Sequence, residues 1–134
     1  MRDAFNHAAG LRQVIALDGP KRYVAVGYRF DREDALRDSG RQFAYDGHEM
    51  SLGVGWRLPA DLTTEVGYAY RREVYDVPSG GRRDNEHQFT AVLQRALGKG
   101  ITLTAAYLGT LNDSNQGVFM FDRHIGSLTL EVRY

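Results

Sequence analysis

Val26-Gly27-Tyr28-Arg29-Phe30-Asp31-Arg32-Glu33 returns 40 residues later as Val66-Gly67-Tyr68-Ala69-Tyr70-Arg71-Arg72-Glu73. A weaker third copy, Ala106-Tyr107-Leu108-Gly109, places its tyrosine 39 residues after Tyr68. Reuse at this spacing marks a repeated supersecondary unit, here two strands joined by a turn. A propeller blade also repeats at about 40–45 residues, but it needs four short strands per period where this chain writes two longer ones. Repeated hairpins predict an antiparallel up-and-down sheet.

Within each copy the pattern has period two, the signature of a strand with unlike faces. Val24, Val26, Tyr28 and Phe30 share one face, and Ala25, Gly27, Arg29 and Asp31 the other. Further along, Met50, Leu52, Val54, Trp56 and Leu58 oppose Glu49, Ser51, Gly53, Gly55 and Arg57. After a turn at Pro59-Ala60-Asp61, Leu62, Thr64, Val66, Tyr68 and Tyr70 oppose Thr63, Glu65, Gly67, Ala69 and Arg71. Phe89, Ala91 and Leu93, then Ile101, Leu103, Ala105 and Tyr107, then Leu128, Leu130, Val132 and Tyr134 extend the apolar face. A fainter first strand carries Leu11, Ile15 and Leu17 before the turn at Asp18-Gly19-Pro20-Lys21. About seven strands result, in one segment over residues 1–134. Their connections alternate: short at 18–21, 59–61 and 98–100, longer and polar around 31–46, 75–86 and 112–117.

Composition removes several classes of function. Lys+Arg and Asp+Glu balance at 17 each, so no basic field draws the chain onto nucleic acid. The absence of Cys excludes disulfides and thiolate metal sites. The chain contains no run of about 18 apolar residues from which a transmembrane helix could form, but a transmembrane strand needs only about 9–11 alternating residues. Nothing after Met1 reads as a signal peptide, so an exported protein would start upstream.

Alternation alone leaves two orientations open. A soluble barrel would turn the apolar face inward around a small apolar ligand; a transmembrane barrel would turn it toward lipid. The aromatics favour lipid. Tyr28, Phe30, Tyr68, Tyr70, Phe89 and Tyr107 fall toward the long-loop end, Trp56 and Tyr134 toward the short-turn end, and two aromatic levels bracketing aliphatics form the girdle pattern of a spanning barrel. The opposite face mixes glycines with Arg29, Glu49, Arg57, Glu65, Arg71, Glu131 and Arg133. Small residues beside long charged ones suit a narrow lumen, so these seven are the candidate lumen-lining charges, either tuning solute passage or closing the interior with salt bridges. Alternate short turns and long loops add the loop asymmetry of outer-membrane barrels. An even strand count with both termini periplasmic would place part of the barrel before the residues read here.

The ending Leu128-x-Leu130-x-Val132-x-Tyr134 resembles the C-terminal strand of Gram-negative outer-membrane proteins. Ser114-Asn115 with Phe119-x-Phe121-x-Arg123 resembles the last hairpin of porin-like barrels and of barrels attached to tetratricopeptide regions, such as surface lipoprotein assembly modifiers. The resemblance implies location in a bacterial outer membrane and contact with its lipid. It also implies recognition by the barrel-assembly machinery through the C-terminal strand, and an upstream periplasmic domain. The expected function is a passive channel or export conduit, with a pure membrane anchor and the soluble ligand-binding barrel as alternatives. Phe119 and Phe121 are out of phase with Leu128; either a bulge near Gly126 resets the phase or these rings point inward.

Catalysis and cofactors are not expected. His7, His48, His87 and His124 each open a strand running from the loop end, but an intervening strand sets successive members roughly 10 Å apart, too far to share an ion bound near 2 Å. Asp46, Glu86 and Asp122 lie near those histidines, yet no nucleophile stands beside a base: Ser39, Ser79 and Ser114 read as loop residues. Gly27, Gly67 and Gly109 open no helix and read as sheet glycines rather than a phosphate cradle.

Overall fold

The computed structural model describes residues 4–19, 21–35, 43–76 and 81–133. Tyr134, Pro20, Ser39 and Ser79 lie outside the described residues. Seven strands follow one another: β1 (Ala4–Ala16), β2 (Arg22–Ala35), β3 (Tyr45–Leu58), β4 (Leu62–Tyr75), β5 (Arg83–Gly98), β6 (Ile101–Ser114) and β7 (Phe121–Val132). Each pairs antiparallel with the next in a single up-and-down sheet. The sheet is not closed: β1 and β7 are hydrogen-bonded on one side only.

Hairpin geometry accounts for the short connections. Gly98 (φ 86°), Lys99 (51°) and Gly100 (74°) all take the left-handed backbone that tight hairpins need to match strand twist. Leu97 is the extra residue of a bulge between Ala96 and Gly98. The strands run further at the loop end than polarity alone indicates. Of the polar stretches around 31–46, 75–86 and 112–117, β2 takes up residues as far as Ala35 and β3 from Tyr45, β5 takes up those from Arg83, and the third moves to 115–120 without shortening; Ser114 and Asn85 belong to strands. Charge pairs two residues apart on one strand, such as Arg71 with Glu73 and Arg32 with Asp34, satisfy these polar side chains without ending the ladder.

Register across β6 and β7 is unbroken from Ile101–Val132 to Asn112–Phe121, so no bulge occurs near Gly126 and Phe121 stands on the polar face opposite Asn112. Burial is inverted relative to a water-soluble core. Asp31 and Thr110 are 1% exposed and Asp84 4%, whereas Leu52 is 50% and Leu128 73% exposed. The covered face of the sheet is the polar one.

Candidate functional site

Register places every predicted lumen charge on one face and every described girdle aromatic on the other. In one row straight across the polar face stand Arg29, Glu49, Arg71 and Glu86, alternating in sign over β2 to β5. Asn112 and Phe121 complete the row, and with Glu49, Arg71, Glu86 and Gln88 they line a cavity of about 350 Å³. The other predicted charges do not join this ladder. Arg57 meets Asp61 in the adjoining turn at 3.3 Å, Glu65 accepts a hydrogen bond from Tyr23, and Glu131 pairs with Arg133 at 2.7 Å.

The densest network surrounds Arg71. Its guanidinium reaches Asp31 at 2.7 Å, Glu73 at 2.7 Å and Glu49 at 3.6 Å. Asp31 lies two strands away, and the contact crosses β3 at Gly47, where an added Cβ would stand 2.9 Å from Asp31 Oδ1. Tyr45 donates to the same carboxylate at 3.0 Å, and Tyr75 donates to Glu73 at 2.6 Å. Both phenols lie beyond the apolar stretch, at the loop end. Burial first, then these hydrogen bonds, pushes each above its ordinary pKa. Arg82 pairs with Asp84 and lies between the rings of Tyr75 (4.3 Å) and Phe119 (3.4 Å). Asn112 donates to the Phe119 carbonyl at 2.7 Å, folding the β6–β7 connection over the polar face.

Sequence reading named Arg71 and Glu49 here but missed Tyr45, Glu73, Tyr75, Arg82, Asp84 and Glu86. Glu73 was accessible as the next residue of the Arg71 face. The aromatic and Asp84 contacts of Arg82 depend on how the loops return, which alternation does not encode.

The same crossing device appears at the turn end, where the Tyr23 ring passes over Gly55 to reach Glu65 on β4. A side chain at Gly55 would overlap that ring. Gly55→Val is expected to expel Tyr23 and cost about 1–3 kcal/mol, measured as a lower urea midpoint; a midpoint equal to that of the unaltered chain would remove Gly55 from this role.

On the other face the histidines have partners that sequence reading did not assign. Tyr28, Tyr68 and Tyr107, the tyrosines of the repeat, are hydrogen-bonded to Nδ1 of His48, His87 and His124 at 2.8, 2.8 and 2.7 Å. Straight across from His48 stand Arg72 and Asn85; His87 lies two residues further toward the turn end on β5. From His87 the partners are Leu111 and Asp122, and His124 again lies two residues on. From His7 they are Arg32 and Asp46, with His48 two residues on. Glu86 is on the opposite face from His87. Among the described residues no group of three or more His, Cys, Asp or Glu could hold a metal ion.

No family model matches the chain, and neither a curated protein nor a solved structure matches it.

Proposed function

We propose that this chain is a segment of a transmembrane β-barrel of a bacterial outer membrane, acting as a passive channel or conduit for polar solutes without chemistry of its own. One observation carries the reading: the staircase of tyrosine–histidine pairs and the apolar band beneath it. Each step covers two strands, about 9.6 Å, and two residues, about 6.8 Å, so the line slopes at about 35° to the hydrogen-bond direction. If that line is parallel to a membrane surface, the strands tilt by about 35° from the normal, within the usual range for barrels.

The lower boundary follows the same slope. Trp56 is eight residues below His48 and Arg95 eight below His87, which at this tilt is about 22 Å along the normal, against a typical apolar band of about 25 Å. Between these levels the outer residues are Met50, Leu52 and Val54 on β3, Phe89, Ala91 and Leu93 on β5, and Gly126, Leu128 and Leu130 on β7; Gln13 on β1 and Thr64 on β4 are polar exceptions. A soluble barrel with an apolar interior fits poorly with a covered face that buries Asp31, Asp84 and Thr110. The free edges, β1 and β7, run in the same direction, so all-antiparallel closure takes an odd number of further strands.

The test is fractionation followed by electrophysiology on the protein in its native membranes. Sedimentation with outer membranes, heat-modifiable gel mobility and stepwise conductance in a planar bilayer are expected. Recovery as a detergent-free soluble monomer would overturn the reading, and membrane residence without conductance would reduce it to an anchor.

A further inference from the structure

We propose that the tyrosine–histidine staircase is a binding surface for the phosphates of lipid headgroups. This rests on the barrel reading and adds to it a ligand class and the residues that take it. The chemistry begins with the hydrogen bond at each Nδ1. Where the tyrosine hydroxyl donates to Nδ1, the neutral imidazole carries its proton on Nε2, and the imidazolium carries a proton there whichever way the tyrosine bond runs. Each ring then presents an N–H donor away from its tyrosine. His48 and His124 are exposed and His87 is half-buried, so three such donors stand at one level of the outer face, about 12 Å apart.

A guanidinium joins them. Arg72 lies directly across from His48, exposed, and has no ion-pair or hydrogen-bond partner among the described residues. Arg32, the neighbouring arginine on this face, is held instead by Asp34 at 2.8 Å and Asp46 at 3.6 Å. Among the described residues the surface therefore offers the unpaired guanidiniums of Arg72 and, one diagonal step toward the loop end on β5, of exposed Arg83, with a row of imidazole rings, immediately above an apolar band. That sequence of chemistry, anion-binding groups over hydrocarbon-facing side chains, matches a phospholipid read from phosphate to acyl chain. A folded protein partner would not explain why the row keeps the slope of the apolar band's lower edge.

The test uses the detergent-purified protein, titrated with phosphatidylglycerol or with a galactolipid that lacks phosphate, and native mass spectrometry to count retained lipid. Preferential retention of phosphatidylglycerol is expected. Arg72→Gln should weaken it about fivefold, His48→Phe with His87→Phe should weaken it further, and Arg57→Gln on the polar face should leave it unchanged. Heat-modifiable mobility of every variant certifies folding. Equal retention of the two lipids, or variants that bind as the unaltered protein does, would overturn the proposal while leaving the barrel intact. Displacement by millimolar inorganic phosphate would replace the lipid with a free anion and overturn it also. A protein that never enters a bilayer removes the barrel reading itself.

Discussion

Leu52→Arg is expected to destabilise the folded chain by about 2–4 kcal/mol in a bilayer, the cost of a guanidinium near the midplane of a lipid-facing strand. Leu52 is four residues from His48 and four from Trp56, so it marks the middle of the proposed apolar band. Its side chain is half exposed and points away from the polar network. If that face met water, arginine would cost almost nothing, because surface substitutions away from special features stay within about 0.5 kcal/mol. The two orientations thus assign very different effects to one substitution. Urea unfolding in lipid vesicles measures it, with Leu58→Arg at the band's lower edge expected to cost only about 0–1 kcal/mol. Equal, small effects at both positions would mean that no hydrocarbon lies against β3.

The fold was largely legible because two periods agree. Alternation of two assigns the faces, and recurrence of Tyr28, Tyr68 and Tyr107 at 40 and 39 residues spaces the hairpins. Charged residues beyond Phe30 and between Arg83 and Glu86 looked like loop, since polarity cannot distinguish a solvated loop from a ladder whose charges pair along the strand. The bulge at Leu97 leaves alternation on either side unbroken and was silent. The tyrosine–histidine pairs were hidden by loop length: partners lie 20, 19 and 17 residues apart, and no fixed offset announces them. The charge ladder was half visible. Arg29, Glu49 and Arg71 follow from parity, but Arg57, Glu65, Glu131 and Arg133 share their face without sharing their row, because register is set by turns rather than by composition.

Arg71→Met is expected to cost about 3–5 kcal/mol, the usual penalty for leaving a buried charge without its partner. Asp31 and Arg71 occupy the same position in successive copies of the repeat, one acidic and one basic, and the missing side chain at Gly47 lets them meet across an intervening strand. Asp31 is almost fully buried, and its Oδ1 has no hydrogen-bond partner among the described residues. Without Arg71 the Tyr45 hydroxyl would be the one side-chain partner left on the carboxylate among the described residues. The penalty belongs to the stranded acid rather than to the pair, so Asp31→Asn in the same chain is expected to recover much of the loss. Arg57→Met is the internal comparison: Arg57 and Asp61 are well over half exposed, and an ion pair of that kind contributes about 0–1 kcal/mol. Urea midpoints in detergent micelles measure all three. Arg71→Met matching Arg57→Met would show that water already reaches Asp31, and that the polar face at the loop end is open rather than closed by its own charges.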